Sequence, residues 1–303
     1  MTNAIETAGL SKRFRRTWAV RDLTLAVPEG ALFALLGPNG AGKTTTIKTL
    51  MNLLRPSAGH AHVLGVDSRR LGPAELACIG YVSENQVLPA WMTVGQLLGF
   101  CRPLYPTWDA ALCERLLARF ALPVGSRLRD LSRGMAMKAA LLVSLAYRPR
   151  LLVLDEPFSG LDVVVRDELI RGVLERADEE QWTVLVSSHD IDEVERLVDW
   201  VGVMNAGRLA LAEPVATLQA RFRRIDVTME PAPPEVLPAT WLDVERAGHR
   251  LSFVTEAYRA GETEAEIGRV LGDVVPAVTP LSLREIFVAL ARRYRLADGR
   301  EAA

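Results

Sequence analysis

The first part of the chain alternates between uninterrupted apolar runs and segments in which apolar residues recur at helical spacing. Residues 31–36 form a short apolar run that predicts a buried strand, and apolar side chains then recur on one helix face from Ile47 to Leu54. Uninterrupted apolar strands are typical of parallel sheets covered on both faces, so the pattern indicates an α/β fold. Further strands are predicted at 23–27, 61–66, 79–83, 151–156 and 183–187, and further helices at 93–102, 107–122, 136–147 and 163–178.

The pattern changes after Pro214, where shorter and less regular segments follow. We therefore expect two domains, one at 1–220 with an all-helical insert at about 88–150, and a small α+β accessory domain at 221–303 without catalytic residues. The second domain either packs on the first or takes part in regulation or dimer contact, and the sequence leaves this choice open. A hairpin is predicted at 241–254, a short helix at 263–271 and a last helix from 282, which a capping box opens.

A glycine-rich loop joins the strand at 31–36 to the helix behind it. Its sequence, Gly37-Pro38-Asn39-Gly40-Ala41-Gly42-Lys43-Thr44, fits the phosphate-loop pattern G-x-x-x-x-G-K-[ST] at every fixed position. Such a loop turns backbone N–H groups towards a phosphate, and the N-terminus of the following helix adds partial positive charge. Lys43 would reach the β- and γ-phosphates, and the Thr44 hydroxyl would ligate Mg²⁺. The pattern predicts nucleoside triphosphate binding; the alternative is a glycine-rich turn that binds nothing.

Two carboxylates and a histidine follow two of the predicted strands. Asp155 and Glu156 end the strand at 151–156, and His189 stands just past the strand at 183–187. Ligands bind open α/β sheets at the carboxyl ends of the strands, so these side chains should meet at one edge. Asp155 suits Mg²⁺ binding through water, and Glu156 suits activation of the attacking water. Taken alone, the acidic pair could equally be a helix cap or a solvated loop.

Composition and charge narrow the class of protein. The 303 residues are 49% hydrophobic and 24% charged, as in ordinary globular proteins, and the net charge of −1 argues against a mainly electrostatic nucleic-acid binder. No apolar run approaches the ~18 residues of a membrane helix, and the first residues lack the pattern of a signal peptide, so we expect a cytoplasmic protein. Lysine is rare, so its presence in the glycine-rich loop is not a compositional accident. It occurs only at Lys12, Lys43, Lys48 and Lys138.

The motifs, in this order and at this spacing, resemble the ATP-binding subunit of an ABC transporter over about residues 5–221. The segment Leu131-Ser132-Arg133-Gly134-Met135 is similar to the signature that separates this family from other phosphate-loop ATPases. The resemblance implies a phosphate-loop ATPase core with a mixed sheet and an all-helical subdomain, followed here by the small α+β domain. By the same resemblance, 37–44 is the Walker A loop, 151–156 the Walker B strand, 159–162 the D-loop and His189 the switch histidine.

The family resemblance also implies a function and partners. A chain of this kind binds and hydrolyses ATP with Mg²⁺ and powers transport through a separate integral-membrane subunit, while it lies peripherally on the cytoplasmic face of the cell membrane. It works as a head-to-tail dimer with a second copy of itself or with a paralogue. Each ATP then lies between the Walker A loop of one chain and the signature of the other, and no nucleic acid takes part.

Roles for single residues follow from the resemblance in the same way. Catalysis is assigned to Lys43, Glu156 and His189. Mg²⁺ is assigned to Thr44, Asp155 and Glu84. Contacts with ATP are implied for Phe14 at the position of the adenine-stacking aromatic, and for Gly37, Pro38, Asn39, Gly40, Ala41, Gly42, Lys43, Thr44, Thr45, Glu84, Ser132, Gly134 and Asp162.

Two positions depart from the family pattern. The signature has Arg133 and Met135 where the commonest form reads Leu-Ser-Gly-Gly-Gln. The glutamine of the Q-loop, expected three residues after Tyr81, is Glu84, and Gln86 comes two positions too late. A glutamate can still ligate Mg²⁺, but it adds negative charge near the γ-phosphate, so we expect a stronger dependence on Mg²⁺. Similar replacements occur in subunits resembling those of ABC-2 type exporters, which favours export over import.

The sequence fits other classes of ATPase and nucleotide-binding protein less well. ABC-type ATPases without transport would need a second ATPase half, a long coiled coil or zinc-binding cysteine pairs, and the sequence has none of these. Glu156 and His189 argue against a regulatory module that binds nucleotide without hydrolysis. Beyond the Q-loop position, Trp91 lies in an apolar stretch, 87–92, and we expect it to stay partly exposed until the membrane subunit covers it. The alternative is that Trp91 is a core residue.

Overall fold

A computed structural model describes residues 2–180, 182–230 and 233–301 of the chain. The chain divides into two compact units, Met1–Ala212 and Glu213–Ala303. The strands of the first unit are β1 (Asn3–Phe14), β2 (Thr17–Pro28), β3 (Leu32–Leu36), β4 (Ala58–Val63), β5 (Val66–Asp67), β6 (Ile79–Ser83), β7 (Leu151–Asp155), β8 (Thr183–Ser188), β9 (Trp200–Asn205) and β10 (Arg208–Pro214), the last of which crosses the division. Its helices are α1 (Lys43–Leu50), α2 (Pro73–Leu76), α3 (Val94–Cys101), α4 (Ala110–Arg119), α5 (Arg133–Ala146) and α6 (Val163–Glu180), with short 3₁₀ turns at Ser68–Arg70, Arg102–Leu104, Leu128–Asp130 and Ile191–Glu193.

The first unit contains a six-stranded sheet in the order β10-β9-β3-β8-β7-β6. Neighbours from β9 to β6 pair in parallel. All residues of β7 and β8 are buried, as their uninterrupted apolar sequences predict for strands covered on both faces. Because parallel strands end at one edge, the segments that follow β3, β6, β7 and β8 are brought together. They begin with Gly37, Glu84, Glu156 and His189.

An antiparallel sheet, β2-β1-β4-β5, lies in the same unit. Its strands alternate between buried and exposed side chains, and Ile5, Leu23 and Val63 join the same apolar core as Phe33 and Leu35 of β3. The strand predicted at 61–66 is β4, which begins and ends earlier. The chain turns after Val63, where Leu64 and Gly65 take left-handed backbone conformations.

Helices α3, α4 and α5 form the all-helical segment between β6 and β7. The helix predicted at 107–122 begins later, at Ala110 of α4. Asp109 caps α4 by accepting a hydrogen bond from the N–H of Leu112 at 2.8 Å, whereas the hydroxyl of Thr107 donates to the carbonyl of Tyr147. Tyr147, at the end of α5, donates its own hydroxyl proton to the carbonyl of Ile79 at 2.8 Å. This bond ties the C-terminal end of α5 to β6.

The elements of the second unit are α7 (Val215–Arg221), β11 (Arg223–Thr228), β12 (Leu242–Ala247), β13 (Arg250–Thr255), α8 (Glu262–Leu271), β14 (Ala277–Pro280) and α9 (Leu283–Glu301). Its strands form an antiparallel sheet in the order β12-β13-β11-β14. Trp241 stacks on Phe253 with ring centroids 3.8 Å apart, in a core that includes Ile267 of α8. The sequence-based boundary at 220 differs from the structural division at 212, because α7 contacts α9 of the second unit.

Candidate functional site

The glycines of the 37–44 loop are needed for its fit against neighbouring backbone. A Cβ added to Gly37 would lie 2.3 Å from the carbonyl oxygen of Met204, and one added to Gly42 would lie 2.3 Å from that of Ala19. Gly40 is open to solvent but has a φ of +84°, which favours glycine. The loop therefore packs closely against the backbone of β2 and β9. Its other side faces a cavity.

Lys43 is buried beneath the loop and has three oxygen partners. Its ammonium donates to the carbonyl oxygens of Gly37 at 2.6 Å and Pro38 at 3.2 Å. It also lies 3.0 Å from Oε1 of Glu156. With 5% and 9% of the two side chains exposed, this is a buried ion pair, and breaking it without a replacement would leave an uncompensated charge.

Asp155 is held at the end of β7 by two hydroxyl groups. Thr44 donates to its Oδ1 at 3.0 Å, and Ser187 of β8 donates to the same oxygen at 2.8 Å. Burial raises the pKa of Asp155, while the hydrogen bonds from Ser187 and Thr44 oppose that shift. A buried carboxylate beside a threonine hydroxyl offers the hard oxygen ligands that Mg²⁺ prefers.

Glu156 lies at the centre of the site. Its Oε2 is 2.8 Å from Nδ1 of His189, and its backbone N–H donates to the hydroxyl of Ser187 at 3.0 Å. Its φ of 52° is left-handed, a conformation that costs energy for a non-glycine residue and occurs often at functional sites. The hydrogen bond with Glu156 raises the pKa of His189.

Besides Glu156, a second acidic residue, Glu193, lies close to His189. It is buried, and it accepts a hydrogen bond of 2.5 Å from the hydroxyl of Ser188. Burial raises its pKa. One ligand atom each of Glu156, His189 and Glu193 lie within 4.8 Å of one another. The histidine is thus flanked by two acidic groups.

A cavity of about 470 Å³ opens in front of these residues. Phe14, 45% exposed, is on its wall, where its ring could stack on a base. The structure thus brings most of the sequence-predicted residues into one place. The lining consists of Phe14, Ala19, Asn39, Gly40, Ala41, Gly42, Lys43, Thr44, Thr45, Glu84, Glu156, Ser159 and His189.

Ser132, Gly134 and Asp162 do not line this cavity. Ser132 is the N-cap of α5 and accepts a hydrogen bond from the N–H of Met135 at 3.2 Å. Asp162 accepts one from the N–H of Val165 at 2.9 Å at the start of α6, as a helix N-cap does. The single chain therefore does not bring these three residues to the cavity.

Sequence reasoning missed several residues that fix the site. Ser187 bridges Asp155 and Glu156, and Glu193 and Ser188 support the region of His189. The two adjacent serines at the end of this largely apolar strand could have indicated their role, because a buried hydroxyl group requires a hydrogen-bond partner. Glu193 carried no such signal, since acidic residues after a strand are usually exposed.

A family model described as "ABC transporter" matches residues 20–159. The bacitracin transport ATP-binding protein BcrA of Enterococcus faecalis is 30% identical over 226 residues, which are 74% of this chain and 73% of that protein. The chain belongs to the ABC transporter family. The sulfate/thiosulfate import ATP-binding protein CysA of Salmonella typhi is 34% identical over 219 residues, 69% of this chain, and the match spans 60% of that protein's length. A second model, "AAA domain, putative AbiEii toxin, Type IV TA system", matches residues 126–195.

Solved structures of the family have the same fold. One described as "Structure of ATP binding subunit of ABC transporter" is 28% identical, with a TM-score of 0.65 over 72% of this chain and 92% of that one. The predicted phosphate-loop ATPase fold is thereby confirmed, and the chain is an ATP-binding subunit and ATPase of the ABC transporter family. Within the described residues, no helix combines the length and apolar character needed to cross a membrane.

Proposed function

We propose that this chain hydrolyses ATP with Mg²⁺ at the cavity beside the Walker A loop and uses it to power export through a separate membrane subunit. The observation that carries the proposal is that the start of α1 meets the ends of β7 and β8. Lys43 contacts Glu156 at 3.0 Å, Thr44 contacts Asp155 at 3.0 Å, and His189 contacts Glu156 at 2.8 Å. These groups supply the phosphate contact, the metal ligands and the water-activating base that phosphoryl transfer requires.

Each residue has a distinct part in this proposal. Thr44 and Asp155 would hold Mg²⁺, which when bound neutralises charge on the phosphates. Glu156 accepts a proton from water, and His189, in contact with it, holds its carboxylate in place. Lys43 binds phosphate oxygens. Because Lys43 pairs with Glu156 in this structure, a phosphate that draws Lys43 away also frees the base for water.

The complete site is proposed to form between two chains. Ser132 and the first N–H groups of α5 lie outside this chain's own cavity, at a helix N-terminus that suits a phosphate. A head-to-tail dimer would place this end on the ATP of the second copy, with Asp162 at the same contact. Both hydrolytic residues are present, which favours two identical chains over a pairing with a paralogue.

The membrane partner is proposed to dock beside the segment 87–92. Val87 is 91% exposed and Trp91 69% exposed, so the alternative that Trp91 is a core residue is not supported. An apolar groove lies in the same region and is lined by Leu53, Leu97 and Cys101 among others. Exposed aromatic and apolar side chains next to a groove suit a partner helix. The ATPase would then sit on the cytoplasmic face of the membrane.

Export is favoured by Glu84, since similar replacements occur in subunits resembling those of ABC-2 type exporters. Import is the second candidate, because CysA, 34% identical, is named an import protein.

ATP hydrolysis coupled to a membrane subunit, which export and import have in common, is tested by affinity purification of the tagged chain from membranes. ATPase activity is measured with and without the membrane protein that copurifies. We expect one integral-membrane protein and Mg²⁺-dependent hydrolysis. A chain that hydrolyses ATP but brings down no membrane protein would point to a role outside transport.

A further inference from the structure

The two departures from the family pattern contact each other within one chain. Nη2 of Arg133, in the signature, lies 2.9 Å from Oε1 of Glu84, at the Q-loop position, although the residues are separated by 49 positions. The backbone N–H of Glu84 also donates to the carbonyl oxygen of Asp155 at 2.8 Å. The pair therefore connects the first turn of α5 to the metal-binding end of the site.

Arg133 has a second neighbour in the D-loop. A Cβ added to Gly160 would lie 2.7 Å from Nη1 of Arg133, so the absence of a side chain at this position leaves room for the guanidinium. Gly160 also has a φ of +67°, which favours glycine. Arg133 thus occupies a defined place between two loops of the site, with half of its side chain exposed.

The negative charge of Glu84 needs a cationic partner. Glu156 is neutralised by Lys43 and faces His189, and neither of these partners reaches Glu84. Glu84 lines the cavity and would stand near the phosphates, where an uncompensated carboxylate repels ATP most strongly when Mg²⁺ is absent. In the part of the chain that the structure describes, Arg133 is the cation that pairs with this carboxylate.

We propose that Arg133 is the counter-ion that makes a glutamate tolerable at position 84, and that the pair sets how strongly ATP binding depends on Mg²⁺. The inference rests on the proposed ATP site. It assigns Arg133 a positioning and electrostatic role within its own chain, in addition to the contact with a second chain that the signature implies.

A double-mutant cycle tests the pair. The measured quantity is the factor by which Mg²⁺ tightens ATP binding, taken as the ratio of dissociation constants in EDTA and in Mg²⁺. We expect Arg133→Gln to raise this factor by about two- to fivefold, the range of a partly exposed ion pair. Glu84→Gln should lower the factor and the Mg²⁺ concentration for half-maximal hydrolysis. In the Glu84→Gln background, Arg133→Gln should change the factor little.

Two further variants control the interpretation. Arg133→Lys keeps the charge and should stay near the wild-type factor, which a purely steric role would not predict. Arg129→Gln removes an exposed arginine that pairs with Asp130, and it should have no effect. Equal effects of Arg133→Gln with Glu84 and with Gln at that position would overturn the proposal. If the wild-type chain bound no ATP at all, the proposed function itself would fail, so the two failures are distinguishable.

Discussion

Two regions of the molecule differ in how firmly neighbouring residues fix their side chains. One is the hydrolytic edge of the sheet, which carries Asp155 and Glu156, and the other is the 87–92 segment. At the edge, Asp155 and Glu156 are almost fully buried and bonded to side chains of α1 and β8. In the described part of the chain, no buried side-chain nitrogen or oxygen lacks a hydrogen-bond partner. In the other region, Val87 and Trp91 face solvent. The fold thus fixes the side chains of the hydrolytic edge, whereas it leaves large apolar side chains of the 87–92 segment exposed.

The sharpest test of the hydrolytic edge is Glu156→Gln. The amide keeps the shape of the side chain but cannot accept the proton of water, so hydrolysis should fall by about 10²–10⁴-fold while ATP still binds. Lys43→Ala is the matched variant, since it should weaken nucleotide binding itself. Turnover is measured by phosphate release and binding by equilibrium titration. Wild-type-like turnover of the Glu156→Gln variant would refute the assignment.

A mixing experiment tests whether the edge is completed by a second chain. Lys43→Ala and Ser132→Arg should each inactivate a homodimer. In a head-to-tail heterodimer both defects fall at one site and leave the other intact, so mixing the inactive chains should recover part of the wild-type ATPase rate, provided one site can turn over alone. Normal ATP-dependent dimerisation of Ser132→Arg chains, measured by light scattering, would count against this arrangement.

The exposed segment is tested by Trp91→Ala. Loss of a central aromatic contact typically costs ~2 kcal/mol or more, so the affinity for the membrane subunit should fall at least about tenfold. Basal ATPase activity should be unchanged, because Trp91 does not line the nucleotide cavity. Val275→Ala, which alters an apolar side chain 89% exposed in the second unit, serves as the control. Equal binding by the Trp91 variant would place the docking surface elsewhere.

The smallest expected effect concerns His189. The hydrogen bond with Glu156 raises the pKa of His189 above its ordinary 6.5, so the stabilisation is fully present below pH 6.5 and is lost as the pH rises through the raised pKa. With 37% of the side chain exposed, we expect less than about 1 kcal/mol. Urea unfolding without nucleotide at pH 6 and pH 8.5 measures it. His189→Gln should remove this part of the pH dependence; an identical pH profile would show that the contact adds no stability.

The sequence predicted the strands that position the site because buried parallel strands have an unmistakable apolar pattern. Since such strands end at one edge of the sheet, the proximity of Glu156 and His189 could be predicted from the sequence alone. The pairing of Arg133 with Glu84 could not be predicted, because it depends on how α5 is placed against β6. The same holds for the start of α4, because Thr107 and Asp109 are both residue types that cap helices and only the packing decides that Asp109 is the cap.

The burial of Lys43 has a practical consequence because lysine is so rare in this chain. Lys138 is also buried, and Lys12 and Lys48 are only partly exposed. Amine-reactive reagents therefore find few targets, and Lys43 should react slowly while its ammonium is held by Glu156 and two carbonyl oxygens. The rate of its modification, followed by mass spectrometry of a single peptide, would report opening of the Walker A loop in a chain that carries no artificial label.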